Sequence, residues 1–182
     1  MSPSACARSY GKGKSEEGPT VTEGHYDVAQ VCESGHVANS RSQDYPEFNS
    51  PHCAKCGAKT ITTCPSCKAP IRGAYYSPGY LGLDHYEAPA YCHQCGSAYP
   101  WTGAALAAAS ELADVLDNLN GQDREDLKKT LGDLVRETPR SRVAETKFKT
   151  IMRKVGKEGY ETMKSVLTDV VSETVRKTLF GA

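Results

Sequence analysis

The segment CAKCGAKTITTCPSC, residues 53–67, contains two C-x-x-C pairs close together. A third C-x-x-C pair follows at Cys92 and Cys95, and a C-x-x-x-H pair precedes the segment at Cys32 and His36. Chelating pairs of thiolate and imidazole ligands are typical of structural zinc sites, which take four ligands in a tetrahedron. The four pairs therefore predict two structural Zn²⁺ ions, bound by Cys32, His36, Cys53, Cys56, Cys64, Cys67, Cys92 and Cys95.

The order of the pairs leaves two ways of forming the sites. Neighbouring pairs would enclose residues 37–52 in the first site and residues 68–91 in the second, which are ordinary loop lengths for zinc ribbons. Interleaved pairs would instead combine the first pair with the third, as in cross-braced folds. The loop lengths favour neighbouring pairs, so that each ribbon is a knuckle, a β-hairpin and a second knuckle. His52 and His93 are alternative imidazole ligands.

The composition and the cysteine pattern favour one cellular compartment. It has 182 residues and a formal net charge of zero, so no overall field attracts nucleic acid or an anionic membrane. No apolar run approaches the roughly 18–20 residues of a membrane span, and the N-terminus has no apolar stretch of the signal-peptide type. Paired thiols without a secretion signal favour metal binding over disulfides. We predict a cytoplasmic protein in which Cys6 is a free thiol.

Three regions differ in composition. Residues 1–24 are polar and without periodicity, and are predicted to be a disordered tail. Residues 25–101 contain every candidate ligand but too few aliphatic residues to fold unaided, so metal must stabilise them. Residues 102–182 contain no cysteine or histidine and show helical periodicity. The predicted fold is a small zinc-stapled β domain of tandem zinc ribbons or knuckles, followed by an all-α C-terminal domain.

About four amphipathic helices are predicted in the C-terminal domain. The first spans about residues 103–119 with Thr102 as its N-cap, and the second begins near Asp123. The third begins at Thr138-Pro139, because proline is tolerated at the first helical position. The last continues to about Leu179. These helices would form a bundle or two packed hairpins, and they could also mediate homo-oligomerisation.

Aromatic residues are concentrated around the third C-x-x-C pair. Residues 75–101 contain six tyrosines and the only tryptophan of the chain. Such rings can fill the core of a small ribbon, or they can form an exposed face that binds a protein partner. The candidate partner-binding residues are Tyr75, Tyr76, Tyr80 and Trp101.

A basic excess lies in the helical region. Residues 136–164 contain nine Lys or Arg and four Glu, an excess of 9 − 4 = 5 positive charges. This excess fits a solvated helix face, phosphate contacts with nucleic acid or docking on a membrane surface. The candidate phosphate contacts are Lys147, Lys149, Arg153, Lys154 and Lys157.

Known catalytic patterns are missing from the sequence. It has no nucleophile elbow, no Gly-rich phosphate loop and no H-E-x-x-H motif. A catalytic zinc would need an open coordination position, whereas both predicted sites have four protein ligands. We predict a non-enzymatic zinc-binding adaptor or scaffold that recognises a protein partner. A nucleic-acid-binding zinc ribbon is the alternative, and an enzyme with an unrecognised site is the second alternative.

Four segments resemble an uncharacterised bacterial family known only as a domain of unknown function. They are YDVAQVCESGH from residue 26, SRSQDYPEF from residue 40, CAKCGAKTITTCPSCKAPIRG from residue 53 and AYCHQCGSAYPWT from residue 90. The resemblance covers residues 26–101 and extends through ETPRSRVAETKFK and VVSETVRKTL. It implies a zinc-ribbon protein with a helical C-terminal region, in which the eight paired residues bind metal. It implies no particular activity.

Overall fold

The computed structural model describes residues 24–79 and 86–181. Residues 1–23 of the predicted tail, and the candidate partner-binding residue Tyr80, lie outside the described residues. The strands are β1 (His25–Val28), β2 (Gln30–Cys32), β3 (Val37–Asn39), β4 (Thr60–Ile61) and β5 (Arg72–Tyr76). The helices are α1 (Pro100–Val115), α2 (Gly121–Leu134), α3 (Pro139–Met152), α4 (Lys157–Leu167) and α5 (Glu173–Phe180).

Two small antiparallel sheets form the N-terminal half. One pairs β1 with β5, and the other places β2 between β3 and β4. The sheets are joined where the Ala29 amide donates a 2.8 Å hydrogen bond to the carbonyl of Ile71. The buried core here consists of Ala29, Val31, Cys64, Ile71, Cys92, Tyr99 and Trp101. Two candidate metal ligands thus belong to the core itself, which is consistent with its shortage of aliphatic residues.

Local signals explain where α2 and α3 begin. The Asn120 side chain accepts a hydrogen bond from the Asp123 amide, and the Asp123 carboxylate accepts one from the Asn120 amide, so α2 begins at Gly121. Thr138 caps α3, with Pro139 as its first residue, as predicted. The helical half has its own core, built around Leu127, Leu131, Phe148, Met163 and Leu167.

The structure corrects the predicted helix count. The last predicted helix is two helices, α4 and α5, so the described residues contain five helices rather than four. Ser172 caps the new N-terminus, where its hydroxyl accepts a hydrogen bond from the Val175 amide at 3.3 Å. Val170 and Val171 are buried at the corner between the two helices. The helical spacing of apolar residues therefore continues through the corner, so the sequence pattern does not indicate that the helix ends there.

The first helix also begins earlier than predicted. Helix α1 begins at Pro100, and Thr102 is not its N-cap. The Thr102 hydroxyl instead donates to the carbonyl of Ala90 at 2.8 Å, and the Trp101 indole donates to that of Pro89 at 3.0 Å. The first turn of α1 therefore belongs to the core of the N-terminal half. Within the described ranges, none of the helices is long and apolar enough to cross a membrane.

Candidate metal centre

The eight predicted ligands gather in two clusters. One consists of Cys32, His36, Cys53 and Cys56, and the other of Cys64, Cys67, Cys92 and Cys95. Within each cluster the ligand atoms all lie within 4.8 Å of one another. The clusters follow neighbouring pairs and not the interleaved arrangement. His52 and His93 are exposed and belong to neither cluster.

The distances in the first cluster fit a tetrahedral ion. Thiolates bonded at about 2.3 Å to a tetrahedral centre are about 3.8 Å apart, and a thiolate and an imidazole nitrogen are about 3.6 Å apart. His36 Nδ1 lies 3.6 Å from the Sγ atoms of both Cys32 and Cys53. The Sγ atoms of Cys32 and Cys56 are 3.8 Å apart.

The second cluster has the same dimensions with four sulfurs. Its Sγ–Sγ distances are 3.9 Å between Cys64 and Cys95 and 3.7 Å between Cys67 and Cys92. A disulfide would bring two sulfurs to about 2.05 Å. All seven cysteines in the described part of the chain are free thiols. Both clusters could therefore hold a metal ion.

Each C-x-x-C pair lies in a tight turn. The residue after the second cysteine donates its amide to the carbonyl of the first cysteine, at 2.8 Å for Gly57 and 2.9 Å for Lys68 and Gly96. These three residues have positive φ angles of 72°, 65° and 71°. Glycine adopts this conformation without strain, so the turns that end at Gly57 and Gly96 have the preferred residue. The backbone of Lys68 is strained.

The first ligand pair is positioned by β2 and by a glycine. Cys32 ends β2, and the His36 amide donates to Cys32 Sγ at 3.2 Å. Gly35 between them has a φ of 89°, and a Cβ added there would lie 3.0 Å from Trp101 Cβ. The turn that presents His36 thus depends on a glycine packed against the first turn of α1.

The pKa values of the thiols are shifted in opposite directions, down by hydrogen bonds and up by burial and neighbouring thiols. An amide hydrogen bond from Ala58 is the largest cause that lowers the pKa of Cys56 to about 6. The Ala69 amide also acts to lower the pKa of Cys67, but burial and the neighbouring thiols outweigh it and raise that pKa to about 12. Four sulfurs in contact cannot all ionise unless a cation compensates their charge. The donor set therefore suits a divalent metal ion.

Tyr99 packs with residues of the second cluster, although it was not among the site residues predicted from the sequence. Its side chain is 1% exposed and is stacked on Trp101, with ring centroids 4.6 Å apart. Its hydroxyl is buried and has no hydrogen-bond partner among the described residues. Burial raises the pKa of this hydroxyl, and the sulfurs of Cys92 and Cys64 raise it further.

The predicted aromatic face is divided between core and surface. Trp101 is 4% exposed, so its ring is not part of a binding face. Tyr76 is half-buried, while Tyr75 is 46% exposed. Tyr75 contacts Tyr26, which is 56% exposed and was not a predicted site residue. Strand pairing brings these two residues together, and this pairing could not be inferred from their separation in sequence.

The basic residues lie near the end of α3 and the start of α4. Lys147, Arg153 and Lys157 are exposed, and Lys149 is half-buried. Lys154 is engaged with Asp123, at 2.7 Å between Nζ and Oδ1. Asp123 would therefore compete with a phosphate for the Lys154 ammonium group.

Comparison with known proteins identifies a family. A family profile described as "Uncharacterized protein conserved in bacteria (DUF2321)" matches residues 25–179. No curated protein and no solved structure matches the chain. The match confirms the resemblance to an uncharacterised bacterial family in both the N-terminal and the helical half. The chain belongs to this conserved bacterial family.

Proposed function

We propose that each cluster binds one structural Zn²⁺ ion and that the two ions stabilise a non-enzymatic interaction module. Three thiolates and one imidazole, or four thiolates, are ligand sets that zinc accepts in closed sites. With four protein donors in each cluster, no coordination position is left for a substrate. The metals would therefore stabilise the fold and take no part in chemistry.

Elemental analysis tests the metal assignment. Gently purified protein is expected to contain two zinc ions per chain, and the Cys92→Ser variant is expected to contain one. Cys53→Ser is the matched variant for the first cluster and should also retain one. Iron in place of zinc, or full zinc content in either variant, would contradict the assignment.

We further propose that the module binds a protein partner through a face on β1 and β5, which we call the tyrosine face and define as Tyr26, Arg72 and Tyr75. The observation that supports it is the packing of these exposed side chains. The Tyr26 and Tyr75 rings meet edge-on at 4.9 Å, and the Arg72 guanidinium lies 4.7 Å from the Tyr26 ring centroid. Tyrosine and arginine are enriched at the centres of protein interfaces.

The tyrosine face is held in place by the surrounding structure. Tyr26 is directly opposite Tyr75 in the β1–β5 register. The Tyr86 hydroxyl donates to the Arg72 carbonyl at 2.6 Å. A groove of about 460 Å³ is lined by the three residues of the face together with Glu87 and Pro89. Side chains held in one arrangement before binding lose little entropy on binding, which favours recognition.

Affinity purification with quantitative mass spectrometry tests this proposal. The double variant Tyr26→Ala/Tyr75→Ala is expected to lose a partner that the wild type retains. The matched control is Tyr45→Ala/Phe48→Ala, which removes another exposed pair of contacting rings and should keep that partner. Zinc content and helical signal show that the variants are folded. If every partner stays bound to the first variant, the tyrosine face is not the binding site.

Nucleic-acid binding is the second candidate. It is supported by the exposed Lys147, Arg153 and Lys157, and it is weakened by the ion pair between Lys154 and Asp123. Binding through phosphates falls steeply with salt, since each neutralised phosphate releases counterions. A strong decrease in affinity for a generic duplex or single strand between low and physiological salt would favour it. An affinity independent of salt, or no binding, would exclude it.

A further inference from the structure

The buried hydroxyl of Tyr99 is the polar group that the fold and the proposed function leave unexplained. It is shielded from solvent and has no hydrogen-bond partner in the part of the chain that the structure describes. A buried polar group is normally paired, since it has lost its bonds to water. Phenylalanine would fill the same volume without this cost.

The position of Tyr99 relative to the knuckle is fixed by backbone bonds. Tyr91 and Ala98 form a bridge that closes the turn carrying Cys92. Immediately after it, the Tyr99 amide donates to the Ala90 carbonyl at 3.1 Å. The ring then lies in the same buried cluster as Cys64 and Cys92. The Tyr99 ring is therefore grouped with the two buried ligands of the second cluster, and the Cys92 sulfur contributes to the raised pKa of its hydroxyl.

The negative charge of the second cluster with a bound metal explains why a hydrogen-bond donor beside it would be stabilising. A divalent ion with four thiolates carries a charge of 2 − 4 = −2, whereas an ion with three thiolates and a neutral imidazole carries 2 − 3 = −1. The buried cluster that contains Cys64 and Cys92 also contains Val31 and Ile71, whose side chains have no hydrogen-bond donor. A tyrosine hydroxyl is protonated at neutral pH and can donate. Donors to metal-bound ligands stabilise the charge that the metal leaves on them.

We propose that the Tyr99 hydroxyl donates a hydrogen bond to the thiolate of Cys92 when a divalent metal occupies the second cluster. Tyr99 is then a positioning residue for that cluster alone and makes its metal harder to release. This inference rests on the proposed occupation of the cluster by a divalent ion. It adds a residue outside the four ligands that distinguishes the two metal sites.

Cadmium NMR of the full chain tests the proposal, because cadmium with four sulfurs and cadmium with three sulfurs and one nitrogen give separate signals. In Tyr99→Phe the four-sulfur signal should shift while the three-sulfur signal stays in place. Loss of metal from the four-sulfur site to a competing chelator should become about 10-fold to 100-fold easier, the usual effect of removing such a donor. Tyr86→Phe is the matched control, since that hydroxyl donates to a backbone carbonyl.

The other outcomes of the cadmium experiment separate the role of Tyr99 from the assignment of zinc. An unmoved four-sulfur signal with unchanged metal release in Tyr99→Phe would overturn the role of Tyr99 and leave the zinc assignment intact. The lack of a four-sulfur signal in the wild type would overturn both. If Tyr99→Phe fails to fold, proton NMR of the cadmium-loaded wild type decides. A slowly exchanging Tyr99 hydroxyl proton close to the Cys92 side chain supports the proposal, and a rapidly exchanging one overturns it.

Discussion

Arg176 on α5 donates from Nη2 to both carboxylate oxygens of Glu87, at 2.9 and 2.7 Å, across 89 residues of chain. The Arg176 side chain is 16% exposed and that of Glu87 is 52% exposed. Glu87 lies shortly before the turn that carries Cys92 and Cys95, so this pair joins the last helix to the N-terminal half. The neighbouring contact of Arg136 with the Tyr91 hydroxyl joins the same two parts.

A double-mutant cycle should show that Arg176 and Glu87 are coupled in their effect on the free energy of unfolding. We expect Arg176→Gln and Glu87→Gln to be coupled by about 0.5–1 kcal/mol in the free energy of unfolding, since one partner is largely buried and the other is screened by solvent. Urea unfolding of the zinc-loaded protein measures it. The control is the separate exposed pair Arg140 and Asp133, at 3.3 Å, for which we expect about 0.2–0.5 kcal/mol. A coupling no larger than in this control would mean that the link joins the halves no more strongly than an ordinary surface ion pair.

Gly35→Ala should destabilise the first metal site. The left-handed backbone and the contact with Trp101 together should cost at least about 1–2 kcal/mol in the free energy of unfolding. Gly132→Ala is the control, because Gly132 lies inside α2 and an added Cβ there meets nothing within 4 Å. That change should stabilise the protein by about 0.5–1 kcal/mol. Equal effects of the two changes would show that the turn is not strained.

Lys68→Gly should stabilise the knuckle of Cys64 and Cys67. Lys68 adopts a φ of 65°, a conformation that costs a non-glycine residue about 1 kcal/mol or slightly more. The bond from Lys68 Nζ to the Pro65 carbonyl is exposed and recovers little of this cost. The reverse change, Gly96→Lys in the equivalent position, should destabilise by a similar amount. Thermal unfolding of zinc-loaded protein compares them, and a loss of stability in Lys68→Gly would refute the interpretation.

Removal of metal should unfold the N-terminal half before the helices. Trp101 is the only tryptophan and is 4% exposed in the core shared with Cys64 and Cys92, so its fluorescence reports on that half. Chelation should shift its emission to the red, while most of the helical circular dichroism remains because the helices have a separate core. Zinc should restore the emission. Simultaneous loss of both signals would mean that the helical core depends on the metals as well.

The features that were predictable from sequence are those with a local cause. A C-x-x-C pair chelates through its own turn, and Thr138-Pro139 starts a helix through its own backbone, so neither needs tertiary information. The break between α4 and α5 depends on where Val170 and Val171 are buried, which the apolar spacing alone does not reveal. Tyr26 could not be identified because its surface neighbour Tyr75 is supplied by strand pairing. The predicted protein partner, its alternative among nucleic acids and the predicted cytoplasmic location all stay predictions.

The first turn of α1 has a practical consequence for dissecting the protein. A fragment that begins after residue 102 would lose Trp101 and Thr102, whose side chains bond to the carbonyls of Pro89 and Ala90. A fragment that ends at residue 99 would uncover Gly35 and leave the ring of Tyr99 without its stacking partner. Either cut exposes a surface that the other piece normally covers. Experiments on separate halves would therefore measure the damage of the cut along with the properties of the piece.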